Sequence, residues 1–328
     1  MKIAVLGAGA WGSAVAINLA HRHTVALWAR SSQQRTAMQT ARENARYLPG
    51  QQFPASVSFT DDVQLAIDGA QLVLLAVTSA GLRETVRRVI AAGPVRPVIW
   101  LCKGFEPGHA KLPHQVCAEE LGESALCGVL SGPSFAQEVA RGLPTAATLA
   151  STSPDFARDA ARTLHSPSFR VYSSDDVVGV EVAGAVKNVM AIAAGISDGL
   201  EYGYNARAAL ITRGLAEITR LGVALGGRAE TFMGLAGAGD LILTCTGDLS
   251  RNRQVGLRLA KGQPLDVILA ELGHVAEGVG TARELHRLAD AVGVEMPITR
   301  AVCRVLGDHR QARAAADELL QREPRAER

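Results

Sequence analysis

At 328 residues the chain is long enough for two joined domains, and 48% hydrophobic with 20% charged residues is an ordinary globular composition. A formal net charge of +2 argues against bulk nucleic-acid binding, which needs a basic stripe, though it leaves room for a local basic pocket. The five cysteines (Cys102, Cys117, Cys127, Cys245, Cys303) are odd in number and lack CxxC spacing, which excludes a disulfide or zinc framework and predicts reduced thiols in a cytoplasmic protein.

Met1-Lys2 leads straight into Ile3-Ala4-Val5-Leu6, a run too short for a signal peptide. No stretch reads as long and apolar enough to span a bilayer. Gly7-Ala8-Gly9-Ala10-Trp11-Gly12 follows at once. A bare GxGxxG pattern is weak, but here it leaves an apolar strand and opens a helix, which is the setting of a dinucleotide-binding turn. Gly7 permits the turn, Gly9 lets backbone approach a pyrophosphate, and Gly12 lets helix and strand pack closely. The first N–H groups of the helix, from Ala10 and Trp11 onward, then face the anion. A second strand is expected over Thr24–Trp28. An NAD-specific site places an acid just after such a strand, yet Thr24 to Ser32 contains none and Arg30 stands there instead. A guanidinium can pair with a ribose 2′-phosphate. NADPH is therefore the favoured cofactor, without strict exclusion of NADH.

Further strands are expected over Leu72–Val77, Val98–Cys102, Leu126–Leu130, Pro144–Ala150 and Phe169–Tyr172. Helical patterns lie between them at Trp11–Ala20, Gly81–Ala91, Lys111–Leu121 and Asp155–Leu164. Strand–helix alternation predicts an α/β, Rossmann-type doubly wound parallel sheet with helices on both faces. Lys103, in Cys102-Lys103-Gly104, sits at the end of one strand, where ligands of open α/β sheets bind.

After Ser174 strand-like runs nearly vanish, and an all-helical domain is predicted. The boundary is placed at 178, giving a dinucleotide-binding domain over 1–178 and a helical substrate domain over 179–328. Asp176–Leu200 and Asn205–Leu225 are long helical stretches, the first apolar on most sides and hence buried. Lys187 and Asn188 interrupt it. A buried lysine is expensive unless paired, and desolvation lowers its pKa towards acid/base use. Gly234–Gly239 is a glycine-rich turn before Asp240 and Thr244, and Asp240 is a candidate partner for Lys187. Ser250-Arg251-Asn252-Arg253 opens another helix with hydroxyl, guanidinium and amide donors beside backbone N–H groups, a pattern suited to phosphate. The eight histidines show no metal-ligand spacing, and no metal is expected. The charged tail from Glu323 reads as frayed, and the apolar helical domain leaves room for a homodimer interface.

Taken together, these segments resemble the bacterial NAD(P)-dependent sn-glycerol-3-phosphate dehydrogenase family over essentially the whole chain. The resemblance rests on Gly7–Gly12, Cys102-Lys103-Gly104, Ser131-Gly132-Pro133-Ser134-Phe135-Ala136-Gln137-Glu138, Val186-Lys187-Asn188, Gly237-Ala238-Gly239-Asp240-Leu241, Ser250-Arg251-Asn252 and Glu277-Gly278-Val279. It implies interconversion of sn-glycerol 3-phosphate and dihydroxyacetone phosphate with NADP or NAD, supplying glycerol phosphate for phospholipid synthesis. It implies that Lys187 takes or gives the proton and that Lys103 contacts both cofactor and substrate. Gly132, Ser134, Asp240, Ser250, Arg251 and Asn252 would line the substrate pocket, with Asn188 and Thr244 as supporting polar contacts. Trp11, Arg30, Tyr47, Ala136, Arg251, Val275 and Glu277 would bind the cofactor. Tyr47 lies in a stretch that matches only partly, and Ala276 replaces a bulkier apolar residue of many members. Two rival readings stay open from sequence: a 3-hydroxyacid dehydrogenase of the same plan, which would not need the Ser250–Asn252 phosphate site, and a non-catalytic NADP-binding protein.

Overall fold

The computed structural model describes residues 1–273, 276–307 and 311–321. In chain order the first part runs β1 (Lys2–Leu6), α1 (Ala10–Leu19), β2 (Thr24–Trp28), α2 (Ser32–Ala41), β3 (Glu43–Asn44), β4 (Leu48–Gln52), β5 (Val57–Thr60), α3 (Val63–Ile67), β6 (Leu72–Leu75), α4 (Ser79–Ala91), β7 (Val98–Trp100), α5 (Pro113–Leu121), β8 (Cys127–Ser131), α6 (Ala136–Ala140), β9 (Thr145–Ala150), α7 (Pro154–Leu164) and β10 (Phe169–Ser174). Then come helices: α8 (Val177–Gly199), α9 (Gly203–Ala224), α10 (Ala229–Met233), a π-helical turn (Leu235–Gly239), α11 (Asp240–Thr246), α12 (Arg251–Ala260), α13 (Leu265–Leu272), α14 (Glu277–Ala291), α15 (Pro297–Gly307) and α16 (Ala312–Leu320). Two compact units result. The first comprises Met1–Glu106 and Lys111–Glu181; the second comprises Pro107–Ala110 and the chain from Val182 onward.

In the first unit eight strands form one sheet in the order β10-β9-β8-β7-β6-β1-β2-β5. Strands β5, β2, β1, β6, β7 and β8 run parallel, so their carboxyl ends share one edge. Strand order reverses beside β1, which pairs with β2 on one side and β6 on the other. That crevice is where α/β sheets hold ligands. Ile3, Ala4, Val5 and Leu6 of β1 and Leu72, Val73, Leu74 and Leu75 of β6 are buried in succession, as expected for strands covered on both faces. The expected fully parallel sheet needs one correction. β9 runs antiparallel to β8, because the connection between them holds only the five-residue α6, too little for a right-handed crossover. Helices α2, α3 and α6 and strands β3, β4 and β5 go beyond the elements expected from sequence.

The second unit is built on α8. The helix is buried on all sides from Val180 to Ala194, Val180 and Glu181 being counted with the first unit. Contrary to the sequence reading, α8 is by length and composition apolar enough to cross a bilayer; nearly all of it lies inside the protein. α8 and α12 cross at close range. A Cβ on Gly195 would lie 2.1 Å from the Arg253 carbonyl oxygen, and one on Gly256 would lie 2.1 Å from that of Ile192. Only glycine permits that approach, which seats the start of α12 beside α8.

Glu217 on α9 lies against the start of α15. Its carboxylate accepts from the backbone N–H groups of Ile298 at 2.7 Å and Thr299 at 3.3 Å. Burial pushes its pKa up to about 7, against which those hydrogen bonds pull down. The folded chain therefore binds this proton more tightly than the unfolded chain. The contribution of Glu217 to stability is full below the unfolded carboxyl pKa and is lost as pH rises through about 7. Glu217→Gln is expected to flatten the stability curve between pH ~4.5 and ~7, as measured by denaturant unfolding across that range. An unchanged slope would place the titration elsewhere.

Candidate functional site

The glycine turn between β1 and α1 is fixed by contacts a side chain would destroy. Gly7 has φ +123°, and a Cβ there would lie 2.3 Å from the Ala76 carbonyl oxygen beyond β6; a Cβ on Gly12 would lie 1.9 Å from the Gly7 oxygen. Gly9 is different: a Cβ there would meet no protein atom within 4 Å. The space that Gly9 keeps open is external to the protein, as a cradle for a pyrophosphate requires. No side chain caps the N-terminus of α1, so its first N–H groups remain for an anion. The indole Nε1 of Trp11 is buried without a hydrogen-bond partner. These observations fit a dinucleotide bound across the turn.

Two residues that the sequence did not single out hold this turn. Asn44 is buried, and its Nδ2 donates to the Ala8 carbonyl at 2.9 Å and to Ser13 Oγ at 2.8 Å. Gln34 Nε2 donates to the same carbonyl at 2.6 Å. Both lie more than twenty residues along the chain from their partner, and no local pattern marks them.

Arg30 is exposed just past the end of β2. The parallel partner β5 ends at Thr60, opposite Trp28. Asp61 follows, and Trp28 Nε1 donates to its backbone oxygen at 3.0 Å. A hydrogen bond from Ser32 holds the Asp61 carboxyl below the usual carboxylate range. The strand end thus carries an acid as well as Arg30, supplied by a neighbouring strand and already engaged. Tyr47 is half-buried, with the Arg46 guanidinium 5.1 Å over its ring.

Beyond the carboxyl ends of β7 and β8, Lys103 and Ser134 converge on one atom. Lys103 Nζ donates to the Gly132 carbonyl at 3.2 Å, and Ser134 Oγ donates to it at 2.9 Å. Ala136 opens α6 and packs against the core of this unit.

In the second unit Lys187, 6% exposed, projects from α8. Its Nζ donates to Asp240 Oδ1 at 2.6 Å and to Thr244 Oγ1 at 2.9 Å. Asp240 is the first residue of α11 and is 1% exposed; Thr244, one turn on, donates to its backbone oxygen at 2.6 Å. A charge removed from water needs a partner of opposite sign, and Asp240 is that partner. The π-helical turn delivers Asp240 to this place; such turns recur at functional sites. A Cβ on Gly237 within it would lie 2.1 Å from the Phe232 carbonyl oxygen.

Ser250 is the N-cap of α12, its Oγ accepting from Arg253 N at 3.3 Å. Arg251 is exposed at the first helical position. Arg253 is buried and pairs with Asp198 on α8 at 2.8 Å. The Asn252 amide joins three helices: Nδ2 donates to Asn188 Oδ1 at 3.0 Å, and Oδ1 accepts from Gly278 N at 3.0 Å. Asn252 therefore holds α8, α12 and α14 together, beyond the expected substrate contact. Glu277, half-buried, begins α14. Val275 and the tail from Glu323 lie outside the described residues.

Comparison with known proteins adds a family to this geometry. The model of the NAD-dependent glycerol-3-phosphate dehydrogenase N-terminus matches residues 2–157, and that of the C-terminus matches residues 176–317. A glycerol-3-phosphate dehydrogenase (NAD(P)+) of Dechloromonas aromatica is 58% identical over 327 residues, covering 100% of this chain and 99% of that one. Its counterpart from Thiobacillus denitrificans is 60% identical, with 100% of both chains covered. The crystal structure of the glycerol-3-phosphate dehydrogenase of Coxiella burnetii superposes with a TM-score of 0.94 at 43% identity, over 98% of this chain and 99% of that one.

Proposed function

This chain belongs to the NAD-dependent glycerol-3-phosphate dehydrogenase family, and from that premise we propose how its residues divide the interconversion of sn-glycerol 3-phosphate and dihydroxyacetone phosphate. The observation that carries the reading is the buried Lys187–Asp240–Thr244 cluster. In ketone reduction the Lys187 ammonium gives its proton to the C2 oxygen; in alcohol oxidation the amine takes it back. Asp240 offsets the desolvation of the ammonium, and Thr244 fixes its direction. The nicotinamide cofactor, NADP or NAD, supplies or accepts the hydride when bound. The reaction furnishes glycerol phosphate for phospholipid synthesis.

Gly7, Gly9, Gly12 and the N–H groups of Ala10 and Trp11 hold the pyrophosphate, with Arg30, Tyr47, Ala136 and Glu277 as further cofactor contacts. Lys103 polarises the C2 oxygen and touches the cofactor. Gly132, Ser134 and Ser250 line the substrate. Arg251 and the start of α12 bind its phosphate, which Asn188 and Asn252 keep in register.

The test of the reaction is NADPH absorbance loss with dihydroxyacetone phosphate, with sn-glycerol 3-phosphate identified as product. No turnover on that ketone together with turnover on a 3-hydroxyacid would overturn it. The cofactor preference has its own test. Arg30→Ala is expected to weaken NADPH binding about tenfold or more, since a hydrogen bond to a charged group is worth roughly 1.5–3 kcal/mol, and to leave NADH binding little changed. Equal weakening of both would place Arg30 away from the 2′-phosphate.

A further inference from the structure

Lys103 lies on the connection between β7 and α5, residues 101–112, which holds neither helix nor strand. A lysine that must meet two ligands at fixed points needs a rigid support, and an irregular loop does not supply one by itself. The support comes from charged residues outside the loop.

The middle of the loop is held by Arg83 on α4. Its Nε lies 2.6 Å from Glu106 Oε1 and its Nη2 lies 2.9 Å from Glu106 Oε2, a two-point fork on the carboxylate three residues beyond Lys103. The same guanidinium reaches Glu120 at 2.6 Å and Glu119 at 2.8 Å on α5. One side chain thereby joins α4, the loop and α5.

The two ends of the loop are held by one carboxylate. Trp100, the last residue of β7, donates its indole N–H to Glu181 Oε1 at 2.8 Å. His114, in the first turn of α5, donates its backbone N–H to the same oxygen at 2.9 Å, and its ring Nδ1 bonds to Oε2. Glu181 is 4% exposed and Trp100 is 1% exposed. Buried ionic groups of this kind are rarely better for stability than apolar packing; what they add is a defined geometry.

We propose that Arg83 and Glu181 are positioning residues for the dehydrogenase reaction: they clamp the 101–112 loop at its middle and at both ends, and so fix where the Lys103 ammonium is presented. The proposal rests on the reading of Lys103 as a cofactor and substrate contact. Arg83 and Glu181 themselves act through Lys103. Loosening the clamp lets the ammonium wander, and misplacement by about 1 Å costs on the order of a hundredfold in rate.

A double-mutant cycle separates this from a merely structural role. Arg83→Gln and Glu106→Gln are each made in the wild-type and Lys103→Ala backgrounds. For each variant kcat and KM are measured with dihydroxyacetone phosphate and NADPH, alongside thermal midpoint and NADPH affinity. Arg83→Gln is expected to lower kcat/KM about ten- to a hundredfold in the wild-type background and to have little effect once Lys103 is gone. Glu181→Gln, which keeps the acceptor oxygen and the volume, is expected to lose less. Glu106→Gln weakens the same fork from the loop side and gives the same pattern should Arg83→Gln fold poorly. The same fold-loss in both backgrounds would overturn the clamp. Wild-type turnover in Lys103→Ala would instead overturn the reading of Lys103, a distinct result.

Discussion

Replacing Lys187 by alanine should abolish turnover while cofactor binding survives. Lys187 is 6% exposed and donates to Asp240 and Thr244. Loss of an acid/base group costs about 10²–10⁴ in rate, and loss of the cation that meets developing oxygen charge adds to it. The same substitution strands Asp240, which is 1% exposed. Breaking a buried pair by removing one partner costs about 3–5 kcal/mol of stability, so activity and folding must be told apart. The double variant Lys187→Ala/Asp240→Asn does so. With both charges gone it should recover most of the lost stability and none of the lost turnover. The glycine turn proposed to hold the cofactor's pyrophosphate belongs to the other unit, so NADPH affinity should stay near that of the wild type in both variants. Recovery of kcat in the double variant would show that Lys187 serves only to neutralise Asp240.

Arg251→Ala should lower kcat/KM for dihydroxyacetone phosphate by roughly one to two orders of magnitude and leave that for dihydroxyacetone nearly unchanged. Arg251 is exposed at the first position of α12, whose N-terminal N–H groups favour an anion. A hydrogen bond to a charged group is worth about 1.5–3 kcal/mol. The phosphate is remote from C2, so its binding energy can orient the reacting carbon. Dihydroxyacetone has no phosphate to lose. Arg251→Lys should rescue only in part, because a point charge does not reproduce the planar fork. Equal losses on the two ketones would move Arg251 to a cofactor or structural role.

The parts of this molecule legible in its sequence are those with strong local signals. β1, the glycine turn and α1 are marked by an apolar run and GxGxxG, and α8 by a long apolar stretch that two polar residues interrupt. The hairpin of β3 and β4 left no such trace. Leu48-Pro49-Gly50-Gln51-Gln52 has mostly exposed or half-exposed polar and turn residues and pairs only with β3, away from the main sheet, so no alternation announces it. The edge strand β5 is four residues long and shows only one fully buried side chain. Candidate site residues are legible when a rare residue stands out, as Lys187 does in an apolar helix. They are hidden when they depend on pairing across the fold. Asn44 reaches Ala8 and Ser13, and Glu181 joins Trp100 to His114 across more than sixty residues. Nothing near Asn44 or Glu181 in sequence predicts those partners. Asp61 is similar: it comes near the end of β2 only because β5 pairs alongside. The glycine-rich segment before Asp240 reads as a turn in the sequence, yet its π-helical winding depends on the close approach of Gly237 to the Phe232 backbone.

In the proposed mechanism the side chain of Lys187 supplies the proton and the charge at the C2 oxygen. The most direct test is the rate of NADPH oxidation by dihydroxyacetone phosphate in Lys187→Ala, measured with increasing concentrations of a small primary amine such as ethylamine. The expected rate is near background without amine and climbs with amine concentration, while the wild-type rate stays flat. Turnover of the variant at the wild-type rate in the absence of amine would contradict this mechanism.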